Sequence, residues 1–239
     1  MAGYMGRNMD YTMDSVGGSR GGQYVSFERV ENDEEPQREV AMRPYTINKD
    51  NVIKFYGRNN YLSSFYGAPM LIAGHMYPSV EHYYEACKIY ALAGPYNAMH
   101  LKGANDPGQV KTISKQILAS EGKSKRDVER WKRKDGLLVL RVGLMEKFRQ
   151  NPELRSQLFR TGDALLAQCN RYDTFWAVGM ESSAFDQWLS EHRGQTVQIP
   201  ALIESYTLSS VPEIGNGKNL LGFILMYVRE CLRSEYGVK

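Results

Sequence analysis

Helix boundaries are spelled out along most of this chain, and they constrain its fold more than any other feature. Ser79 offers an N-cap and Gly94-Pro95 a stop, so residues 79–93 read as one helix. Asp106-Pro107 opens a second, with Val110, Ile113 and Ile117 on its apolar side and Gly122 at its end. Ser124-Lys125-Arg126-Asp127 has the form of a capping box for a third, which carries Val128, Trp131 and, past Gly136, residues 137–148. Asn151-Pro152 starts a fourth that stops near Arg160-Thr161-Gly162, and residues 220–232 form a closing apolar helix. Strand signals are few and short: residues 52–55, residues 70–73 turning at Gly74, and Val197-Gln198-Ile199. No repeat is present, and the pattern predicts one α+β domain, predominantly α-helical with a few short strands.

Composition removes several alternatives. Of 239 residues, 42% are hydrophobic and 24% charged. That is ordinary globular usage and excludes a wholly disordered or fibrous chain. No stretch approaches the roughly 20 consecutive apolar residues of a spanning helix. The first residues show no basic-then-apolar leader, so an intracellular protein, cytoplasmic or nuclear, with no membrane partner is expected. Residues 1–48 read as a flexible tail. Six glycines fall in the first 22 positions, then comes the acidic run Glu31-Asn32-Asp33-Glu34-Glu35-Pro36, with few large aliphatics to offset ordering entropy. The folded domain is expected over 49–239. Cys87, Cys169 and Cys231 form no CxxC, and His75, His82, His100 and His192 lack ligand spacing. Neither a disulfide framework nor a metal site is therefore expected.

The net charge of +3 is unevenly spread. Between Glu121 and Lys134 seven basic residues face three acidic ones, so this segment carries +4 and the remainder −1. Such a patch attracts phosphates, though a solvated helix face has the same composition.

Within the 79–93 helix, Val80, Tyr84, Cys87 and Ala91 repeat as a core stripe. Glu81, Glu85 and Lys88 lie about 100° round from it, at a half-buried edge. Glu81 and Lys88 are two turns apart, with Cα atoms about 10 Å apart, and can reach one ligand. Desolvation raises a carboxyl pKa and lowers that of a lysine, which frees its amine as a nucleophile. The same spacing also describes an ordinary amphipathic helix. Other residues are equally two-sided. Trp131 and Trp176 either stack on a purine or fill a core. Asp163 either hydrogen-bonds a ribose or caps the next element. Gly215-Asn216-Gly217-Lys218-Asn219, before the last helix, offers N–H groups as a phosphate cradle without being a Walker loop.

Taken in order, these segments resemble the NADAR family, the YbiA-like N-glycosidases. The matching motifs are Tyr61-Leu62-Ser63-Ser64-Phe65, Ser79-Val80-Glu81-His82-Tyr83-Tyr84 with Lys88, and Trp131 before a helix ending in Lys147-Phe148 and Asn151-Pro152-Glu153-Leu154. Thr161-Gly162-Asp163, Trp176-Ala177-Val178-Gly179 and Asn219-Leu220-Leu221-Gly222-Phe223-Ile224-Leu225-Met226 complete the series. The resemblance covers roughly residues 52–235. It implies an enzyme that hydrolyses a ribose–base N-glycosidic bond, most directly one that removes ADP-ribose from guanine in a nucleotide or nucleic acid. Glu81 would be its acid/base, and Lys88 the nucleophile that forms a Schiff base with the opened sugar. Phe55, Arg58, Ser64, Phe65, Tyr84, Trp131, Asp163, Trp176, Gly179 and Asn219 would bind substrate, with no cofactor or metal. The alternatives are a glycosidase of phosphoribosylated riboflavin-pathway intermediates and a non-catalytic ADP-ribose or nucleotide-binding module. Two substitutions depart from the pattern: Ser64 stands where the family usually has Asn, and Ala177 where it has Gly. Residues 181–214 also form a longer link than usual, expected as an insertion that acts as a lid or extra wall over the pocket.

Overall fold

A computed structural model describes residues 40–238. Chain order is β1 (Met42–Thr46), β2 (Val52–Phe55), β3 (Met70–Ile72), β4 (His75–Tyr77), α1 (Val80–Ala93), α2 (Pro95–Met99), α3 (Pro107–Ser120), α4 (Lys125–Arg133), α5 (Asp135–Gln150), α6 (Pro152–Arg160), β5 (Leu165–Gln168), α7 (Ser182–Glu191), β6 (Thr196–Pro200) and α8 (Leu220–Tyr236). The architecture is α+β and mainly helical. The six strands form three two-stranded pairs: β1 antiparallel to β6, β2 parallel to β5, and the hairpin β3–β4. Ala73 and Gly74 both have positive φ in the two-residue hairpin loop, the conformation a type I′ turn demands.

The helix punctuation works as the sequence indicates. The Ser79 side chain accepts the His82 N–H, Asp106 caps α3 with Pro107 at its first position, and Ser124 and Asp127 close a reciprocal box on α4. The third helix, read as continuous, is two. Lys134 leaves helical geometry at φ −109°, ψ −86°, and α5 restarts at Asp135. The break presses Gly136 against α1, where a Cβ would lie 2.9 Å from the Tyr84 hydroxyl and 3.2 Å from the Trp131 ring.

The main core runs from Ile47 and Phe55 through Val80, Leu137, Leu144, Phe148 and Leu165 to Phe223, Leu225 and Leu232. A smaller cluster of Ile89, Leu101, Val110 and Leu118 joins α1 to α3. Two boundaries differ from expectation. Residues 1–39 of the expected tail lie outside the described residues, but Met42–Thr46 is paired strand with Thr196–Pro200. The order therefore begins before residue 49. Residues 181–214, expected as a lid or extra wall over the pocket, pack against the main core. Phe185 and Leu189 of α7 are buried in the main core, Asp186 pairs with Lys54 at 2.5 Å, and Glu204 pairs with Arg141 at 3.1 Å. Apolar side chains bury this segment as a wall of the core.

Candidate functional site

The site grows from α1. Its spacing puts Glu81, Glu85 and Lys88 on one face, and that face is more buried than its edge position suggests: 6, 1 and 8% exposed. Ala91 of the expected core stripe is instead exposed. The segment 60–66 and α3 cover the charged face. Ser64 accepts the Glu81 backbone N–H through its carbonyl at 3.0 Å, and its hydroxyl donates to Glu81 Oε2 at 3.0 Å. Lys111 of α3 places Nζ 3.6 Å from Glu81 Oε1 and 5.3 Å from the centre of the Phe65 ring. Lys88 Nζ lies 2.5 Å from Glu85 Oε2, off the direction of an aligned hydrogen bond, and 5.8 Å from the Tyr84 ring. Two buried carboxyls and the buried Lys88 amine thus share one cluster, with the exposed Lys111 at its edge.

Burial pushes the Glu81 carboxyl above the usual range. The charge of Glu85 adds to this, while Lys111, Ser64 and Lys88 pull it back. The Tyr84 phenol is held well above its ordinary value, first by burial and then by Glu85 and Glu81. His82 is pushed down by burial, and its ring nitrogens bond Ser79 Oγ at 2.7 Å and the Ala104 carbonyl at 3.2 Å.

An aromatic wall borders this face. Tyr84 meets Trp131 edge-on at 5.1 Å and Trp176 at 6.1 Å, and Trp176 meets Phe175 at 4.8 Å. Asp173 holds the turn by accepting the Phe175 and Trp176 N–H groups. Over the Phe175 ring sit Lys132 Nζ at 4.4 Å and the Arg133 guanidinium at 5.2 Å. On the other side of Ser64 and Phe65 opens a groove of about 330 Å³, lined by Arg58, Asn59, Phe65, Ser79, His82 and Asn105 among others. Residues 181–214 contribute nothing to that lining.

The sequence profile of the NADAR domain matches residues 54–233. The chain belongs to the NADAR family. A riboflavin biosynthesis protein of Vibrio vulnificus is 28% identical over 181 residues, which span 74% of this chain and 36% of that protein. The N-glycosidase YbiA of Escherichia coli is 25% identical over 201 residues, 82% of this chain and 97% of YbiA. The NMR structure of E. coli YbiA covers 81% of this chain and 92% of its own, with a TM-score of 0.53 at 23% identity, a likeness of fold.

Within this NADAR domain the expected site residues fall into three groups. Glu81, Lys88, Ser64, Tyr84, Trp131 and Trp176 are brought together in the cluster and its aromatic wall. Arg58 and Phe65 line the groove, with Arg58 bound to Asp106 at 2.7 and 3.3 Å. Phe55, Asp163, Gly179 and Asn219 lie elsewhere. Phe55 is core. Asp163 pairs with Arg233 at 2.8 Å and lines a separate cavity of about 210 Å³ between β1 and α8. Gly179, at φ +66°, has no room for a Cβ against the Asn216 carbonyl at 2.8 Å. Asn219 bonds the Gln168 N–H and the Leu166 carbonyl. The Gly215–Asn219 segment is largely tied to its neighbour: the N–H groups of Asn216, Lys218, Asn219, Leu220 and Leu221 go to the carbonyls of Val178, Thr174, Ala177, Phe175 and Trp176. Ala177 avoids the left-handed region, so its Cβ costs nothing there. Sequence reasoning missed Glu85 and Lys111 as parts of the site. The helical repeat from Glu81 pointed to the first, whereas Lys111 lies on a different helix and carried no signal.

Among the described residues no helix is long and apolar enough to cross a membrane, and no cluster of three or more His, Cys, Asp or Glu is arranged to hold a metal.

Proposed function

We propose that this protein is an N-glycosidase acting on a ribose–base bond, and that its substrate is ADP-ribose attached to guanine in a nucleotide or nucleic acid. The observation that carries the reading is the buried trio of Glu81, Glu85 and Lys88, with the solvent-exposed Lys111 reaching in beside Glu81. Departure of a base needs a proton, and Glu81 keeps one to higher pH than an ordinary carboxyl. Lys88 transfers a proton to Glu85, 2.5 Å away, and its amine attacks the anomeric carbon. The C–N bond to the base breaks as the lysine–carbon bond forms, and the base leaves with the Glu81 proton. The bond from the anomeric carbon to the ring oxygen then breaks, that oxygen takes a proton from the attached nitrogen, and the opened sugar is held as an imine, which water hydrolyses. Having given its proton to the base, Glu81 is left as a carboxylate that offsets positive charge at the anomeric carbon. The guanine assignment is favoured by the cations stacked on Phe175, beside an aromatic wall that suits a base next to phosphates.

A second reading keeps the chemistry with a phosphoribosylated riboflavin-pathway intermediate as substrate, favoured by the name of the Vibrio relative. Incubation with ADP-ribosylated guanosine or DNA, and in parallel with the riboflavin intermediate, separates the two by which product appears. Borohydride trapping followed by mass spectrometry identifies the lysine. Turnover of neither substrate, with Lys88→Ala indistinguishable from wild type, refutes the enzyme. Tight ADP-ribose binding in that case points to a binding module.

A further inference from the structure

Among the described residues, Lys147 is the largest fully buried polar side chain apart from Arg229, and the proposed chemistry leaves it unused. It stands on α5, is fully buried and has no carboxylate partner among the described residues. Its Nζ donates to the Tyr61 carbonyl at 2.7 Å and to the Ser63 carbonyl at 2.8 Å. The Tyr66 and Phe148 rings lie 5.3 Å from the amine. A lysine committed to two backbone carbonyls of one short segment fixes that segment more than it stabilises a helix. The Ser63 carbonyl lies in the same rigid peptide plane as the Ser64 nitrogen. Pinning that oxygen therefore sets where the Ser64 side chain leaves the backbone. Ser64 is the group that holds Glu81, by its carbonyl and by its hydroxyl.

We propose that Lys147 is a positioning residue, which presents Ser64 to Glu81 by clamping the Tyr61 and Ser63 carbonyls. The proposal rests on the reading of Glu81 as the acid. Lys147 acts on Glu81 through Ser64, since the charges that face Glu81 directly are Lys111 from α3 and Glu85 and Lys88 from α1. The groups facing Lys147 are the segment's carbonyls and the rings of Tyr66 and Phe148.

The test is a carbon-13 NMR titration of the Glu side-chain carboxyls in the full-length protein, with Glu81 assigned by its loss in Glu81→Gln. Wild type, Ser64→Ala, Lys147→Met and the double variant are compared. The Ser64 hydroxyl favours ionised Glu81, so losing it raises the midpoint. Each single variant is expected to shift Glu81 upward, and the double variant no further than the larger single shift. In turnover, kcat of Lys147→Met is expected to fall by about tenfold, the effect of one lost hydrogen bond to a charged group. Lys147→Gln keeps an N–H2 donor group on a shorter stem and is expected to give an intermediate shift; it serves if the Met variant does not fold. A Glu81 midpoint unmoved by Lys147 substitution, or shifts that add in the double variant, overturns the proposal. The titration needs no substrate, so an absence of turnover that sinks the glycosidase reading leaves this result standing.

Discussion

Burying Lys147 leaves a signature in the pH dependence of stability. Desolvation alone pushes its amine from an ordinary 10.5 down to about 7. At about 1.4 kcal/mol per unit, a shift of that size is a cost of about 5 kcal/mol whenever the lysine is charged in both states. Below about pH 7 it is, and the full cost is present. Between there and the ordinary value, the unfolded chain holds the proton and the folded protein does not, so stability rises with pH. Above the ordinary value the cost has gone. Integrated from about pH 6.5 to about pH 8.5, the gain is about 2 kcal/mol. Lys147→Met has no such group. Other residues titrate in this window too, so the decisive quantity is the difference between the two proteins. Urea unfolding followed by tryptophan fluorescence at the two pH values measures it. Wild type should gain about 2 kcal/mol more than the variant on going from the lower pH to the higher. Which protein is more stable at a single pH is a separate matter, because the variant also strands the Tyr61 and Ser63 carbonyls. Stabilities that move in parallel with pH would refute the reasoning.

Three further expectations follow from the site and its frame. Glu81→Gln should abolish turnover without lowering stability at neutral pH; folded Glu81 keeps its proton above the unfolded value of 4.5, so wild-type stability falls as pH rises from there to the folded midpoint, a loss the amide lacks. A melting temperature that collapses in this variant would make Glu81 structural. Lys88→Met leaves Glu85 buried without its cation and should cost about 3–5 kcal/mol in urea melts, most of it recovered by adding Glu85→Gln; failure of the second change to recover stability would show that the pair is not coupled. Gly222→Ala drives a Cβ to 1.9 Å from the Leu166 carbonyl and should cost about 3 kcal/mol or more, a fall of about 6–12 °C in melting temperature, unless α8 rides over β5 freely.

The helical skeleton was legible because its punctuation is local: a serine, aspartate or proline at one end and a glycine at the other settle a helix without reference to its neighbours. The break at Lys134 was not, because it answers to Tyr84 and Trp131 pressing on Gly136, a contact between helices. Strands β1 and β5 escaped notice for the same reason, being short segments ordered by partners more than 100 residues away. In the site, the periodicity of α1 gave Glu81, Glu85 and Lys88 one face, but not its burial. That burial comes from Ser64 and Lys111, which no spacing links to α1. Asp163 stands apart from this cluster, paired with Arg233; a glycine followed by an acidic residue describes a turn as well as a ribose contact.

The link between Val178 and Asn216 has a consequence for how such chains diverge. The Asn216 N–H bonds the Val178 carbonyl, so the excursion between them leaves and returns at one point. Its length can change without shifting Trp176 on one side or α8 on the other. What a shorter version must replace is the oily patch that Phe185 and Leu189 now cover, which makes this junction a natural seam for exchanging whole segments between relatives.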